Sequence, residues 1–323
     1  MKYVNIQYGK ISIKSKKLRQ VDLESEILIR TKYVLCGSDM HRIRNLKFSQ
    51  PTIMHEIVGE VIEAENKQLL KFVAVNPILS CKKCPYCERL DYQHCSNLLS
   101  IGKQLDGFAE FTIVPKDNIL VLAPHFDIRL GILIDGTAVI IHALNLLKKH
   151  VSFSGIKETR IAIIGGSLGV LCITLQKMLP FCEITIFTKR SQDSLKICLL
   201  RSFMDIKSIP KNSYDIIFEC VDQPDTLNES VRLCNKGGIV LVLVFENFNS
   251  FYVRELFYKE ILLLVNSFSV SEDNHNDFHS AYTIIRDNQQ DYRILLGRSY
   301  PIEEFSQGIS SNRNYLKTYF YFN

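Results

Sequence analysis

The stretch TRIAIIGGSLGVLCITLQKM (residues 159–178) reads as a short apolar strand, a glycine turn and an apolar helix. Gly165, Gly166 and Gly169 punctuate the turn, with Ser167 and Leu168 between them. Glycines there let the backbone approach a pyrophosphate, and the helix N-terminus faces its charge. The turn lacks one residue between its first two glycines for a full G-x-G-x-x-G. A plain strand–helix turn therefore explains the local pattern nearly as well, and the surrounding chain has to decide.

Downstream, EITIFTKRS (183–191) reads as a second strand. Nicotinamide enzymes that use NAD place a carboxylate at the end of this strand, about 20 residues beyond the loop, to bond the ribose hydroxyls. This chain has Thr188, Lys189 and Arg190 instead. A hydroxyl and two cations would accept a 2′-phosphate, so NADP(H) is expected over NAD(H). The plainer alternative is a solvated basic turn. More strands are expected at YDIIFECV (214–221) and GGIVLVLVF (237–245), with a helical stretch, PDTLNESVRLCNK, between them, followed by KEILLLVNSF. Strand and helix in alternation predict a parallel sheet covered on both faces. The expected nucleotide domain is 137–270.

The chain has 323 residues, enough for two domains of roughly 150 residues each. Apolar residues make up 46%, which argues against global disorder. The net charge of +5 comes from basic residues scattered along the sequence, not from a nucleic-acid-binding stripe. The longest apolar runs, such as IVLVLVF at 239–245, fall short of the roughly 18 residues of a membrane helix. The start, MKYVNIQYGKISIK, has scattered charges and does not read as a signal peptide. A cytoplasmic location with neither nucleic-acid nor membrane partners is expected.

Of ten cysteines, Cys81, Cys84, Cys87 and Cys95 fall in SCKKCPYCERLDYQHCS with the spacing C-x2-C-x2-C-x7-C. Four thiolates on a short closed loop make a tetrahedral zinc site with no open position, hence a structural one. An iron–sulfur cluster could use similar spacings, but its usual runs differ from this one. Lys82 and Lys83 would offset thiolate charge. A second cluster of chemistry stands at VLCGSDMHRI (34–43), where a thiol, a hydroxyl, a carboxylate and an imidazole occur within six positions. The apolar run EILIRTKYVL before it reads as a strand leaving a sheet.

In this order the pieces resemble the zinc-containing medium-chain dehydrogenase/reductase family, the alcohol and polyol dehydrogenases. CGSDMH resembles the family's first zinc motif, and MHEIVGEV (54–61) its Gly-His-Glu motif, with Met54 in place of glycine. The four-cysteine lobe (81–95) has the family spacing. DGFAEFTIVP (106–115), LIDGTAVIIHAL (133–144) and the tail YPIEEFSQGISS resemble further family segments. The resemblance covers nearly the whole chain. It implies an α/β protein with a GroES-like, mostly-β catalytic domain (1–136 and 271–323) and a Rossmann domain (137–270). It further implies two Zn²⁺ per chain. Cys36, His55 and Asp135 would hold the catalytic zinc, with Glu56 the neighbouring carboxylate, which ligates in some relatives and swings in and out in others. Asp39 would orient His55, and Ser38 would start a proton path toward His41.

The implied activity is hydride transfer between NAD(P)(H) and a secondary alcohol, polyol, cyclitol or sugar derivative. A mixed S, N and O site holds zinc with one position open for an alcohol oxygen. A small-molecule substrate and a homo-oligomer, dimer or tetramer, are expected. Each residue also has a plainer role: Asp39 as a turn residue, His41 as a surface imidazole, Asp135 as a helix cap, Cys36 as a buried thiol. The competing function class is a non-catalytic, dehydrogenase-like binding or scaffold protein.

Overall fold

The structure is a computed structural model. It describes residues 1–7, 10–35, 37–44, 54–65, 72–150, 159–165, 168–187, 201–203, 206–221, 224–244, 253–266, 276–311 and 317–322. The chain divides into two compact units, Met1–Ala138 with Ser269–Asn323, and Val139–Phe268.

The first unit is built on a seven-stranded sheet. Its path runs Leu296–Pro301, Lys317–Tyr321, Glu26–Leu35, Glu56–Glu63, Phe72–Val75 and Ile119–Val121, with Phe111–Pro115 also pairing with Glu26–Leu35. The pairs are antiparallel except for Leu296–Pro301 with Lys317–Tyr321. The apolar run read as a departing strand is Glu26–Leu35, and the helix Gly37–Arg44 follows it. Inward-facing side chains form one core, with the ring of Phe108 against Phe305, Phe320 and Phe322. This is the mostly-β, GroES-like architecture.

The second unit is a six-stranded sheet in the order Arg201–Phe203, Glu183–Phe187, Arg160–Ile164, Tyr214–Glu219, Cys234–Val242, Leu262–Val265. Every pair is parallel. By position in the chain this is 3-2-1-4-5-6, the doubly wound Rossmann order. Ile161 to Ile164 are all buried, as expected for a strand covered on both faces. One boundary differs from expectation. The helix ends at Leu233, and Cys234, Asn235 and Lys236 begin the next strand rather than finishing the helix. Gly237, at φ +68°, permits the register irregularity that separates the Tyr214–Cys234 pair from the Ile216–Ile239 pair.

The helical run Ile128–Lys148 is long and apolar enough by composition to cross a membrane, but 67% of its most apolar window is buried inside the fold. It is apolar because protein covers it, as with any core helix.

Candidate functional site

Asp39 lies in the first turn of the helix Gly37–Arg44, almost fully buried. Its Oδ2 accepts the backbone N–H of Met54 at 2.7 Å. Met54 has φ +64°, the left-handed region a glycine would occupy without strain, and its side chain is fully buried. His55 and Glu56 follow directly, where the strand Glu56–Glu63 begins.

The third contributor arrives from far along the chain. The 3-10 helix Ile128–Leu133 starts at Asp127, whose side chain accepts the Arg129 N–H. A Cβ on Gly131 would overlap a Val58 methyl, so this lead-in lies directly on the strand Glu56–Glu63. It delivers Asp135, the second residue of the helix Ile134–Lys148, opposite His55. The His55 Nδ1 lies 3.8 Å from Asp39 Oδ2, and Nε2 lies 3.7 Å from Asp135 Oδ2.

Both separations are too long for hydrogen bonds. The Nε2–Oδ2 spacing suits two donors sharing one cation, because zinc holds nitrogen and carboxylate oxygen at about 2.0–2.2 Å each. Glu56 adds a second sign. It is buried, and its Oε2 has no hydrogen-bond partner. Burial pushes its carboxyl above the usual range, opposed by the ammonium of Lys317 and by His55. A buried oxygen left unpaired beside an imidazole and a second carboxylate fits a cation-binding site. Lys317, buried at the start of the strand Lys317–Tyr321, went unnoticed in the sequence. Its only local signal is a lysine opening an otherwise apolar strand.

The remaining expected members of this site are less defined. Cys36 lies outside the described residues. Ser38 and His41 are on the helix Gly37–Arg44, and only their backbone is described.

The second cluster is complete. The short strands Ile78–Leu79 and Leu99–Ser100 pair and close the loop that carries it. The four sulfurs of Cys81, Cys84, Cys87 and Cys95 lie within 4.8 Å of one another. Cys84 and Cys87 are 3.5 Å apart, Cys84 and Cys95 3.9 Å, and Cys81 and Cys87 4.0 Å. Tetrahedral zinc with bonds of about 2.3 Å sets sulfurs about 3.8 Å apart, so the residues fit the metal. Backbone donors prepare the thiolates. The N–H groups of Cys81 and Asn97 point at Cys95 Sγ. Those of Cys87 and Ser96 bring the Cys84 thiol down to about 6, and that of Lys83 lowers Cys81. Lys82 also has other partners. Its ammonium lies 3.8 Å from Asp117 Oδ2 and over the Tyr92 ring.

In the nucleotide domain, Gly165 has φ +71°, and its N–H donates to the Phe187 carbonyl at 2.8 Å. A Cβ there would overlap a methyl of Val221, so this position requires glycine. Leu168 and Gly169 open the helix Leu168–Met178. Gly166, Ser167, Thr188, Lys189 and Arg190 lie outside the described residues.

Comparison with known proteins follows the same lines. Residues 23–125 match the alcohol dehydrogenase GroES-like domain. Galactitol 1-phosphate 5-dehydrogenase of Escherichia coli K12 is 29% identical over 210 residues, covering 62% of this chain and 58% of that relative. The chain thus matches less than two thirds of the length of that relative. The crystal structure of galactitol-1-phosphate dehydrogenase from Escherichia coli superposes with a TM-score of 0.83 at 20% identity, covering 99% of this chain and 100% of that one. A zinc-binding dehydrogenase from Sinorhizobium meliloti 1021, bound to NADP, superposes at 0.81 and 20% identity, covering 99% of this chain and 98% of that one. At such identities the superpositions speak for the fold. A GroES-like domain joined to a Rossmann domain defines the class as a medium-chain dehydrogenase/reductase. Residues 23–125 belong to the alcohol dehydrogenase GroES-like domain family, and the chain as a whole is similar to zinc-containing medium-chain dehydrogenases.

Proposed function

We propose that the chain is a zinc-dependent oxidoreductase that moves a hydride between NADP(H) and a secondary alcohol of the polyol or sugar-alcohol kind. The observation that carries this reading is the His55 imidazole standing between the carboxylates of Asp39 and Asp135, with Glu56 Oε2 buried and unpaired beside them. The polyol class is supported by the galactitol 1-phosphate 5-dehydrogenase relative. The nicotinamide cofactor is supported by the Rossmann sheet and by the NADP-bound neighbour in fold.

Cys36, His55 and Asp135 would hold the catalytic zinc, and Cys81, Cys84, Cys87 and Cys95 the structural one. When bound, zinc supplies a Lewis acid for the substrate oxygen and the nicotinamide supplies the hydride acceptor. The side chains of the protein do the rest. Asp39, 3.8 Å from His55 Nδ1, would orient the His55 ring by its charge and by holding the Met54 backbone that precedes it. Ser38 takes the hydroxyl proton as the carbon gives up its hydride, and passes it toward His41 and solvent. In the reverse direction the same pair returns the proton to the carbonyl oxygen. Glu56 stands beside the site as a reserve carboxylate.

The test is a panel of polyols, sugar alcohols and their ketones, followed at 340 nm with NADP(H) and NAD(H), together with native mass spectrometry of the full chain. Two zincs per chain and a cofactor-coupled signal with one substrate series are expected. Two zincs without any turnover or nucleotide binding would favour a binding protein instead.

A further inference from the structure

Glu219 ends the strand Tyr214–Glu219, which lies between Arg160–Ile164 and Cys234–Val242 in the nucleotide-domain sheet. It is fully buried. Among the described residues its hydrogen-bond donors are all neutral. Oε1 accepts the Val221 N–H at 2.7 Å and the Thr226 hydroxyl at 3.2 Å, and Oε2 accepts the Ser230 hydroxyl at 2.8 Å. Burying a carboxyl without a cation is costly, and an apolar side chain of similar size would avoid the cost. What the carboxyl secures is the backbone of Val221.

Val221 reaches the glycine turn. One of its methyls occupies the space that the missing side chain of Gly165 leaves open. The turn is tied on both sides: Gly165 N–H donates to the Phe187 carbonyl at 2.8 Å, and Cys220 N–H donates to the Ile164 carbonyl at 2.9 Å. The carboxyl ends of three adjacent strands therefore meet around Gly165, and in open α/β sheets ligands bind at those ends.

We propose that Glu219 is a positioning residue for the nucleotide site: its carboxyl fixes Val221, and Val221 holds the turn at Gly165 in the shape a dinucleotide needs. This inference rests on the reading of this domain as a nicotinamide nucleotide binder.

The test combines NADPH titration with amide exchange at Gly165, read by NMR on the full zinc-loaded chain. Glu219→Ala should speed Gly165 exchange and weaken NADPH, each by about tenfold, as expected when a hydrogen bond of about 1.4 kcal/mol is lost. Val221→Ala should do the same. The double variant should add less than about threefold, because the two residues act in series. Glu219→Gln, whose carboxamide oxygen still accepts the Val221 N–H, should stay near wild type. Zinc content should not change. Unaltered Gly165 exchange in Glu219→Ala, or full multiplication of the two effects, overturns the proposal. Glu219→Met, which keeps the volume, replaces the alanine variant if the latter does not fold. A wild-type chain that binds neither NADPH nor NADH overturns the proposed function and this inference with it, whereas wild-type binding that Glu219→Ala leaves unchanged overturns this inference alone.

Discussion

Asp39 Oδ2 accepts the Met54 N–H at 2.7 Å while Met54 holds φ +64°. A long side chain in the left-handed region costs about 1–2 kcal/mol, and complete burial of the thioether chain offsets it. Met54→Gly and Met54→Ala both lose that packing, but only glycine relieves the backbone. The glycine variant should therefore be more stable than the alanine variant by about 1 kcal/mol, the reverse of the usual order. Urea unfolding of the two variants checks this. Equal stability would show that position 54 carries no strain.

Cys95→Ser should release about one zinc per chain and lower the thermal midpoint, because structural zinc contributes folding energy directly. Metal counting by native mass spectrometry reads the first effect and calorimetry the second. An unchanged zinc content removes the four-cysteine assignment.

His55→Ala should abolish turnover and leave nucleotide binding intact, since His55 and the glycine turn belong to different units. NADPH fluorescence titration beside the 340 nm assay separates the two. Near wild-type turnover in the variant would refute the proposed mechanism.

Burial raises the Glu219 carboxyl to about 7, from 4.5 for a free glutamate, against the pull of its three hydrogen bonds. Glu219 raises further the buried thiol of Cys220. The folded state thus binds the proton more tightly than the unfolded chain. Its stabilising contribution is full below about pH 4.5 and is lost as pH rises through 7, to a total of about 3 kcal/mol. Glu219→Gln lacks this titration. The unfolding free energy of wild type minus that of the variant should fall by about that amount between pH 4.5 and 8. A constant difference would place the Glu219 pKa near its ordinary value.

Arg190→Ala should weaken NADPH by about tenfold to a hundredfold, the worth of one charge-assisted bond to a 2′-phosphate, and leave NADH nearly untouched. Dissociation constants for both nucleotides in both proteins decide this. Tighter wild-type binding of NADH than of NADPH would reverse the cofactor preference.

Local patterns were legible wherever the physics is local. The four cysteines lie within fifteen positions, so their spacing alone implied a closed loop, and the structure gathers their sulfurs within 4.8 Å. The strand and helix periods of 159–178 and 214–242 announced the parallel sheet, because a strand covered on both faces needs an unbroken apolar run. Asn235 and Lys236 look like a helix end in sequence, but the sheet pairing of Cys234 with Tyr214 overrides them and the helix stops at Leu233.

The sequence by itself determined the two-domain class, the four-sulfur lobe and the residue types available to the second site, since each follows from composition or from spacing along a short stretch. Only the tertiary structure decided that His55 stands between Asp39 and Asp135, that Lys317 is buried near Glu56, that Met54 occupies a left-handed backbone, and that Glu219 reaches Gly165 through Val221. These relationships join segments tens to hundreds of residues apart. No local preference encodes such a distance. It is set when sheet register and core packing bring strand ends together, and burial then decides which charges must find one another.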